Sequence, residues 1–377
     1  MKKLFFCVAV IAGIICFSVI CRAEEDDDTY GITADYYDYS EIDRFLREDD
    51  VSFDFGRTVR KFFDGDAESG ITDMGEALMD TLWGELSAQK TLLIKITIIG
   101  IIAALFTNLA TAFLSGSTSQ TGFYITFMML MCVLAGGYAV TADMTAKAID
   151  RLLGLMETIV PVYVMSVGFA SGSAAGAGVY QVIAIIMTMI QNVMLKGVLP
   201  MIYIYMIMNF IDNITEGNFL GKACELMKTI INWVMKALMS FVIGLNLIQG
   251  MISPVVDNIK TSAVGKALSV VPGVGGALSS VSGVILGAGT LIKNSIGAAA
   301  MLAIVAVCFV PALKAAAISI GYKAAGAILE PVSDKRVVNA VNGVYESTVL
   351  LAKLLLYSAV FFILTIAVIC NSTNMNA

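Results

Sequence analysis

Residues 92–114 read LLIKITIIGIIAALFTNLATAFL, and residues 122–142 read GFYITFMMLMCVLAGGYAVTA. The first run holds one charged side chain, Lys95, and the second holds none. An α-helix rises about 1.5 Å per residue, so about 20 consecutive apolar residues cross the roughly 30 Å hydrocarbon layer of a bilayer. Both runs reach that length. A chain in lipid must satisfy every backbone N–H and C=O internally, which at this run length means helices. The fold class expected is therefore all-α, a polytopic transmembrane helical bundle.

Further apolar segments lie toward the C-terminus. They cover residues 152–175 with Glu157 and Pro161, then 179–211 with Lys196 and Pro200 near the middle, then 230–252, 268–292, 296–320 and 349–370. The segment 179–211 reads either as one long bent helix or as two short spans. The count is six to eight spans. Before the 230–252 run, Phe219, Leu220, Cys224, Met227, Ile231 and Val234 fall on one helical face, expected to lie in the membrane interface. Orientation is undecided, because the connecting loops are short and nearly balanced in Lys, Arg and acids.

Upstream the pattern changes. Lys2 and Lys3 precede an uncharged apolar run, 4–20, and Cys21-Arg22-Ala23 offers small residues at the positions a signal peptidase reads. Residues 1–23 thus form a signal peptide cleaved after Ala23, or an anchor of about 17 residues that just spans the membrane. Residues 24–90 carry 20 of the 30 acidic residues and 6 of the 24 basic ones, whereas 91–377, the polytopic domain, carries a net positive charge. The acidic region is placed outside the cytoplasm. Its residues 24–35 read as a leader. Beyond them, Ser40-Glu41-Ile42-Asp43 resembles a capping box with Ile42, Phe45 and Leu46 on one face. Phe55, Val59, Phe62 and Phe63 make a second apolar stripe, and Leu78, Leu82, Trp83 and Leu86 a third. About 65 residues bury too little to stand alone, so this region is expected to fold against the membrane, itself or a partner.

The composition narrows the chemistry. Hydrophobic residues make up 58% and charged residues 14%, with a mean hydropathy of +0.83, which is the balance of a membrane protein. No histidine occurs, which removes Ser-His-Asp and Cys-His catalysis, HExxH zinc sites and histidine proton relays together. The seven cysteines show no spacing of a disulfide framework or metal site. Gly217-Asn218-Phe219-Leu220-Gly221-Lys222-Ala223 has too few residues between its glycines and no Ser or Thr after the lysine, so it is not a P-loop. The acidic region would repel nucleic-acid phosphates. The expectation is a protein that is not an enzyme, with no cofactor, no metal and no nucleic-acid partner, whose first partner is the lipid bilayer.

Three sets of residues stand out. Gly168, Gly172 and Gly176, and Gly275, Ser279, Gly283 and Gly287, recur every fourth position, as at helix packing or oligomer interfaces where backbones approach closely. Pro254 and Pro272 bracket a weakly apolar stretch with Asp257 and Lys266, which allows a re-entrant or gating element. Ionisable residues in or beside spans include Lys95, Glu157, Lys196, Lys314 and Lys353. Lysines near span ends snorkel to the interface, which leaves Glu157 as the strongest internal polar candidate.

The second half of the chain resembles a known family. The residues are Ile252-Ser253-Pro254, Asp257-Asn258-Ile259, Ala263-Val264-Gly265-Lys266-Ala267 and Val271-Pro272-Gly273-Val274-Gly275-Gly276. They continue with Lys293-Asn294-Ser295-Ile296-Gly297, Pro311-Ala312-Leu313-Lys314 and Ala324-Ala325-Gly326-Ala327-Ile328-Leu329-Glu330-Pro331-Val332-Ser333-Asp334. Together they resemble the stage III sporulation protein AE family, as does the plan of signal, acidic exported region and multi-span domain. The resemblance implies a spore-forming Firmicute and a protein made in the mother cell and placed in the outer forespore membrane. It implies membership of a secretion-like channel complex linking mother cell and forespore, with ring-forming subunits and a separate cytoplasmic ATPase as partners. That complex supports late forespore gene expression and integrity. The alternative from the residues alone is a self-contained secondary transporter or export permease for a small solute.

Overall fold

A computed structural model describes residues 39–47, 55–63, 116–171, 174–214, 219–268, 275–331 and 333–372, together with Ile94, Ile98 and Ile101; over 45–47, 62–63, 116–123, 126, 168–171, 174–181, 183–184, 246, 249–268, 275–290, 309 and 368–372 it describes the course of the backbone alone. The signal and leader, the stripe at Leu78, Leu82, Trp83 and Leu86, and nearly all of the 92–114 run lie outside the described residues. Every described element is a helix. They are α1 (Ser40–Arg47), α2 (Phe55–Phe63), α3 (Gly116–Ser171), α4 (Ala174–Val193), a π-helical turn (Met194–Val198), α5 (Leu199–Ile214), α6 (Gly221–Leu268), α7 (Gly275–Leu329) and α8 (Lys335–Ser372). Among the described residues five helical rods are long and apolar enough to cross a membrane: α3, the α4–π–α5 rod, α6, α7 and α8.

Two pairs of runs expected as separate spans are continuous. Runs 122–142 and 152–175 merge into α3, of 56 residues, and runs 268–292 and 296–320 merge into α7, of 55 residues. The reason is local. The link 143–151 contains neither Gly nor Pro, and Lys147 reaches Asp143 one turn away at 2.7 Å, a spacing that supports a helix. In α7 the polar break at Lys293-Asn294-Ser295 is absorbed, because Ser295 Oγ donates to the Leu291 carbonyl at 2.9 Å. Pro161 and Pro311 lie inside these helices. At 1.5 Å per residue each rod is about 80 Å long, more than twice a hydrocarbon layer.

The 179–211 segment takes its one-helix reading, with a single widened turn. Pro200 has no N–H to give the Lys196 carbonyl, and its ring crowds that oxygen. The backbone responds by taking one extra residue into the turn, so that the Leu199 N–H bonds the Met194 carbonyl five residues back.

The core sits where α3, α7 and α8 meet, and α8 touches α3, α5, α6 and α7 in turn. The most apolar windows of α7 and α8 are 76% and 72% buried, against 17% for α6, so α7 and α8 are central and α6 is peripheral. Ala299, Ala300, Ala303 and Ala315 of α7 are fully enclosed, and small residues there let neighbouring helices come close. Three buried hydroxyls of α8 are satisfied within the helix: Ser347, Thr348 and Thr365 each donate to a carbonyl one turn back. The face expected in the interface instead packs inward. Cys224 and Ile231 of α6 are buried, and Leu220, Met227 and Val234 pack against the same core, leaving Phe219 exposed. That side of α6 meets α5 and α8, which is where its apolar atoms find partners.

The two described helices of the acidic region pack against the bundle: α1 contacts α3 and α2 contacts α7, with Tyr39, Ile42, Phe55 and Val59 buried. Its two helices are tied by one carboxylate. Asp43 Oδ1 accepts the Phe55 N–H at 2.6 Å, and both its oxygens lie within reach of the Gly56 N–H at 3.3–3.4 Å. These are N–H groups that the start of α2 cannot satisfy itself. A Cβ on residue 56 would stand 3.1 Å from Asp43 Oδ2, so glycine there keeps the approach open. Asp43→Ala is expected to cost about 1–2 kcal/mol, the worth of a helix cap. It should also speed proteolytic cleavage between α1 and α2 in the membrane-embedded protein. Cleavage at the wild-type rate would show that the cap does not hold the pair together.

Candidate functional site

Two polar assemblies are built into the bundle. The first joins three helices. Tyr205 on α5 donates its hydroxyl to Glu346 Oε2 at 2.6 Å, and Lys228 Nζ on α6 lies 2.7 Å from Glu346 Oε1 on α8. Each carboxylate oxygen thus has its own donor. Lys353, two turns further along α8, lies within electrostatic reach of Glu346, Lys228 and Lys236.

The local sequence sets this geometry. Asn209, one turn beyond Tyr205, donates to the Tyr205 carbonyl at 2.8 Å, and Asn213 repeats the pattern on Asn209 at 2.7 Å. Gly343 on α8 faces Asn209, where an added Cβ would meet that side chain at 3.0–3.2 Å. Helix α6 is turned back beside α5 by Asp212, whose Oδ1 accepts the Leu220 N–H at 2.7 Å just before α6 begins. A carboxylate is favoured there by the positive end of the α6 dipole. Further along, buried Gln191 of α4 donates to the Ser358 carbonyl of α8 at 2.9 Å, and Ser358 Oγ contacts Met194 Sδ at 3.7 Å.

The second assembly is an open groove of about 900 Å3 between α3 and the α4–π rod. Glu157 and Pro161 line it from α3, and Thr188, Asn192 and Lys196 line it from the facing helix, between walls that include Met189 and Val193. Thr188, Asn192 and Lys196 recur at four-residue steps, so one face of the rod is polar. Glu157 and Lys196 are exposed to the groove, with no ion pair between them. Among the described residues no three His, Cys, Asp or Glu side chains converge as a metal site would need.

The residues singled out in the sequence are spread through the bundle. Glu157 lines the groove between α3 and the α4–π rod, together with Lys196. Lys314 lies half-buried on α7. Gly168 lies in the last turn of α3, Gly172 falls outside the described residues, and Gly176 lies in the first turn of α4. Gly168 and Gly176 thus lie on different helices. Gly275, Ser279, Gly283 and Gly287 do share one unbroken helix, α7. Pro254, Asp257 and Lys266 lie within α6, which continues to Leu268, so Pro254 does not break the helix as a re-entrant element requires. Pro272 lies outside the described residues.

Tyr205, Lys228 and Glu346 were not singled out in the sequence. The signal for Glu346 was present, since it is the lone acid of 335–377, but its partners lie on helices 118 and 141 positions away. Tyr205→Phe removes a hydrogen bond to a charged acceptor and is expected to cost about 1–2 kcal/mol, read as a lower midpoint of thermal unfolding in lipid nanodiscs. Lys228→Met should cost less in a Glu346→Gln background than alone, as coupled residues do. Additive costs would show that the pair is not coupled.

The chain also matches known proteins. The model of the family "Stage III sporulation protein AE" matches residues 53–373, which takes in α2 and all five membrane-length rods. The stage III sporulation protein AE of Bacillus subtilis (strain 168) is 22% identical over 324 residues, covering 84% of this chain and 80% of that protein. No solved structure matches. With the match running through both α2 and the whole helical bundle, the chain belongs to the stage III sporulation protein AE family.

Proposed function

We propose that this protein is a non-enzymatic membrane component of a secretion-like channel complex that joins mother cell and forespore during sporulation. In this reading it is made in the mother cell and lies in the outer forespore membrane with its acidic region in the intermembrane space. Ring-forming membrane subunits and a separate cytoplasmic ATPase are its partners, and it sustains late forespore gene expression and integrity. The observation that carries the reading is the docking of α1 and α2 on α3 and α7, within a chain whose family is a sporulation family. A partner that grips the exported helices thereby grips two of the membrane-length helices, which suits a scaffold. The stripe Gly275, Ser279, Gly283 and Gly287, unbroken on α7, is the surface proposed for packing against such partners.

A second reading, a self-contained transporter, draws on the groove lined by Glu157 and Lys196. An ionisable residue within a membrane helix marks a transport path in many proteins. The two readings part experimentally. Deletion of the gene in its own organism, tracked by time-lapse microscopy, is expected to give forespores that complete engulfment and then shrink and arrest. Complementation with Gly283→Leu plus Gly287→Leu should fail, with partner proteins no longer co-purifying. Normal spores from the deletion strain, together with solute uptake by the purified protein in liposomes, would replace the channel reading with the transporter.

A further inference from the structure

The contacts of α8 with its neighbours serve as a ruler for depth. Gln191 of α4 meets Ser358, and Tyr205 of α5 meets Glu346, so the α4–π–α5 rod runs antiparallel to α8. Helix α6 folds back on α5 and, with Lys228 beside Glu346, runs parallel to α8. Lys323 of α7 stacks over the Tyr345 ring at 5.2 Å, and Gly326 faces Asn342, which makes α7 antiparallel to α8. Helix α3 lies antiparallel to α4 across the groove and meets α8 where Tyr163 OH approaches the Ile366 carbonyl at 3.5 Å.

Counting along each helix from these contacts puts one basic residue of every rod at a single level. Lys353 is five residues from Ser358, and Lys196 is five from Gln191. Lys353 is seven residues from Glu346, and Lys236 is eight from Lys228. Lys314 is nine residues from Lys323, and Lys353 is eight from Tyr345. Arg151 is twelve residues from Tyr163, and Lys353 is thirteen from Ile366. All five coincide within about three residues, or about 5 Å of rise, the Tyr205–Glu346 and Asn209–Gly343 contacts giving the wider offsets for Lys196.

The stretch beyond that level is equally regular. On the same side of it, residues 174–195, 237–256, 294–313 and 354–372 contain no charged side chain, and 152–171 contains only Glu157. Each run is about 20 residues, or about 30 Å of helix. That is the thickness of the hydrocarbon layer. The opposite side carries Asp143, Lys147, Asp212, Glu225, Lys228, Lys323 and Glu346. Trp233, 73% exposed, stands one turn before Lys236 on that charged side, where indoles collect at membrane surfaces.

We propose that the bilayer covers only the half of the bundle beyond this level, and that Arg151, Lys196, Lys236, Lys314 and Lys353 form a belt that engages the phosphate headgroups of anionic phospholipids at one membrane surface. Lysine and arginine stems lie along apolar helix surface while their charged heads reach the headgroups. The Tyr205–Lys228–Glu346 network then stands about 10 Å outside the hydrocarbon. Glu157 becomes the one carboxylate within the layer among these five runs, open to the groove whose mouth is Lys196. The inference is independent of the sporulation complex proposed above.

The test uses the full chain in nanodiscs. Trp83→Phe leaves Trp233 as the single tryptophan. Lipids brominated next to the headgroup are expected to quench Trp233 more than lipids brominated at the chain ends. Stronger quenching by the chain-end label would overturn the placement. In a second measurement, phosphatidylglycerol in place of phosphatidylcholine is expected to raise the unfolding midpoint by several degrees. The Lys196→Gln, Lys236→Gln, Lys353→Gln variant should lose that rise while keeping the quenching order. No rise for the wild type, or an undiminished rise for the variant, would overturn the belt. Should the variant fail to fold, the wild-type comparison of the two lipids and the quenching order still decide.

Discussion

Helices inside a bilayer gain nothing by hiding from water, so their association rests on how closely their surfaces pack. In this protein that contact is between α7 and α8. The alanines of α7 bring α8 and α3 near, and α8 then touches α5 and α6 on its remaining sides. Remove the small residues from α7 and the other helices lose the surface against which they are aligned. Ser347, Thr348 and Thr365, buried along α8, do not compete with this packing, because their hydroxyls are spent on carbonyls of the same helix.

Once α8 is central, its register determines the positions of the polar groups. The Tyr205–Glu346, Lys228–Glu346 and Gln191–Ser358 contacts each join α8 to a different stretch of the chain. They act as pins that stop the long rods from sliding. The groove has the opposite character. It lies between α3 and the α4–π rod, away from α8, and its acid and base are open rather than paired. Pro200 shapes it at a distance, since the widened turn it causes is the turn that carries Lys196.

The lengths of the rods have a consequence for both assemblies. Helices of about 80 Å cannot lie wholly within a layer of about 30 Å, so part of the bundle stands in water or against other chains. Helices α1 and α2 join the same body, since they bury Ile42, Phe55 and Val59 into the shared core. The protein is therefore a continuous helical body that reaches well beyond the membrane it crosses.

The membrane class, the all-helical fold and the amphipathic pattern of α1 and α2 were legible in the sequence, because run length, hydropathy and 3.6-residue periodicity are local quantities. The family was legible through short runs such as Pro311-Ala312-Leu313-Lys314. Span boundaries were not: a polar link such as 143–151 looks like a loop between two spans, yet with no Gly or Pro and an ion pair one turn apart it continues the helix. Glu157 could be picked out because a lone acid in an apolar run is costly wherever it sits. Its groove partner Lys196 could not be joined to it, nor Glu346 to Tyr205 and Lys228, since those pairings depend on which helices lie side by side and in which register. Sequence determined what each segment is able to do in lipid. Only the tertiary packing decided which charges meet, because the free energy of a contact belongs to two surfaces and neither segment carries it alone.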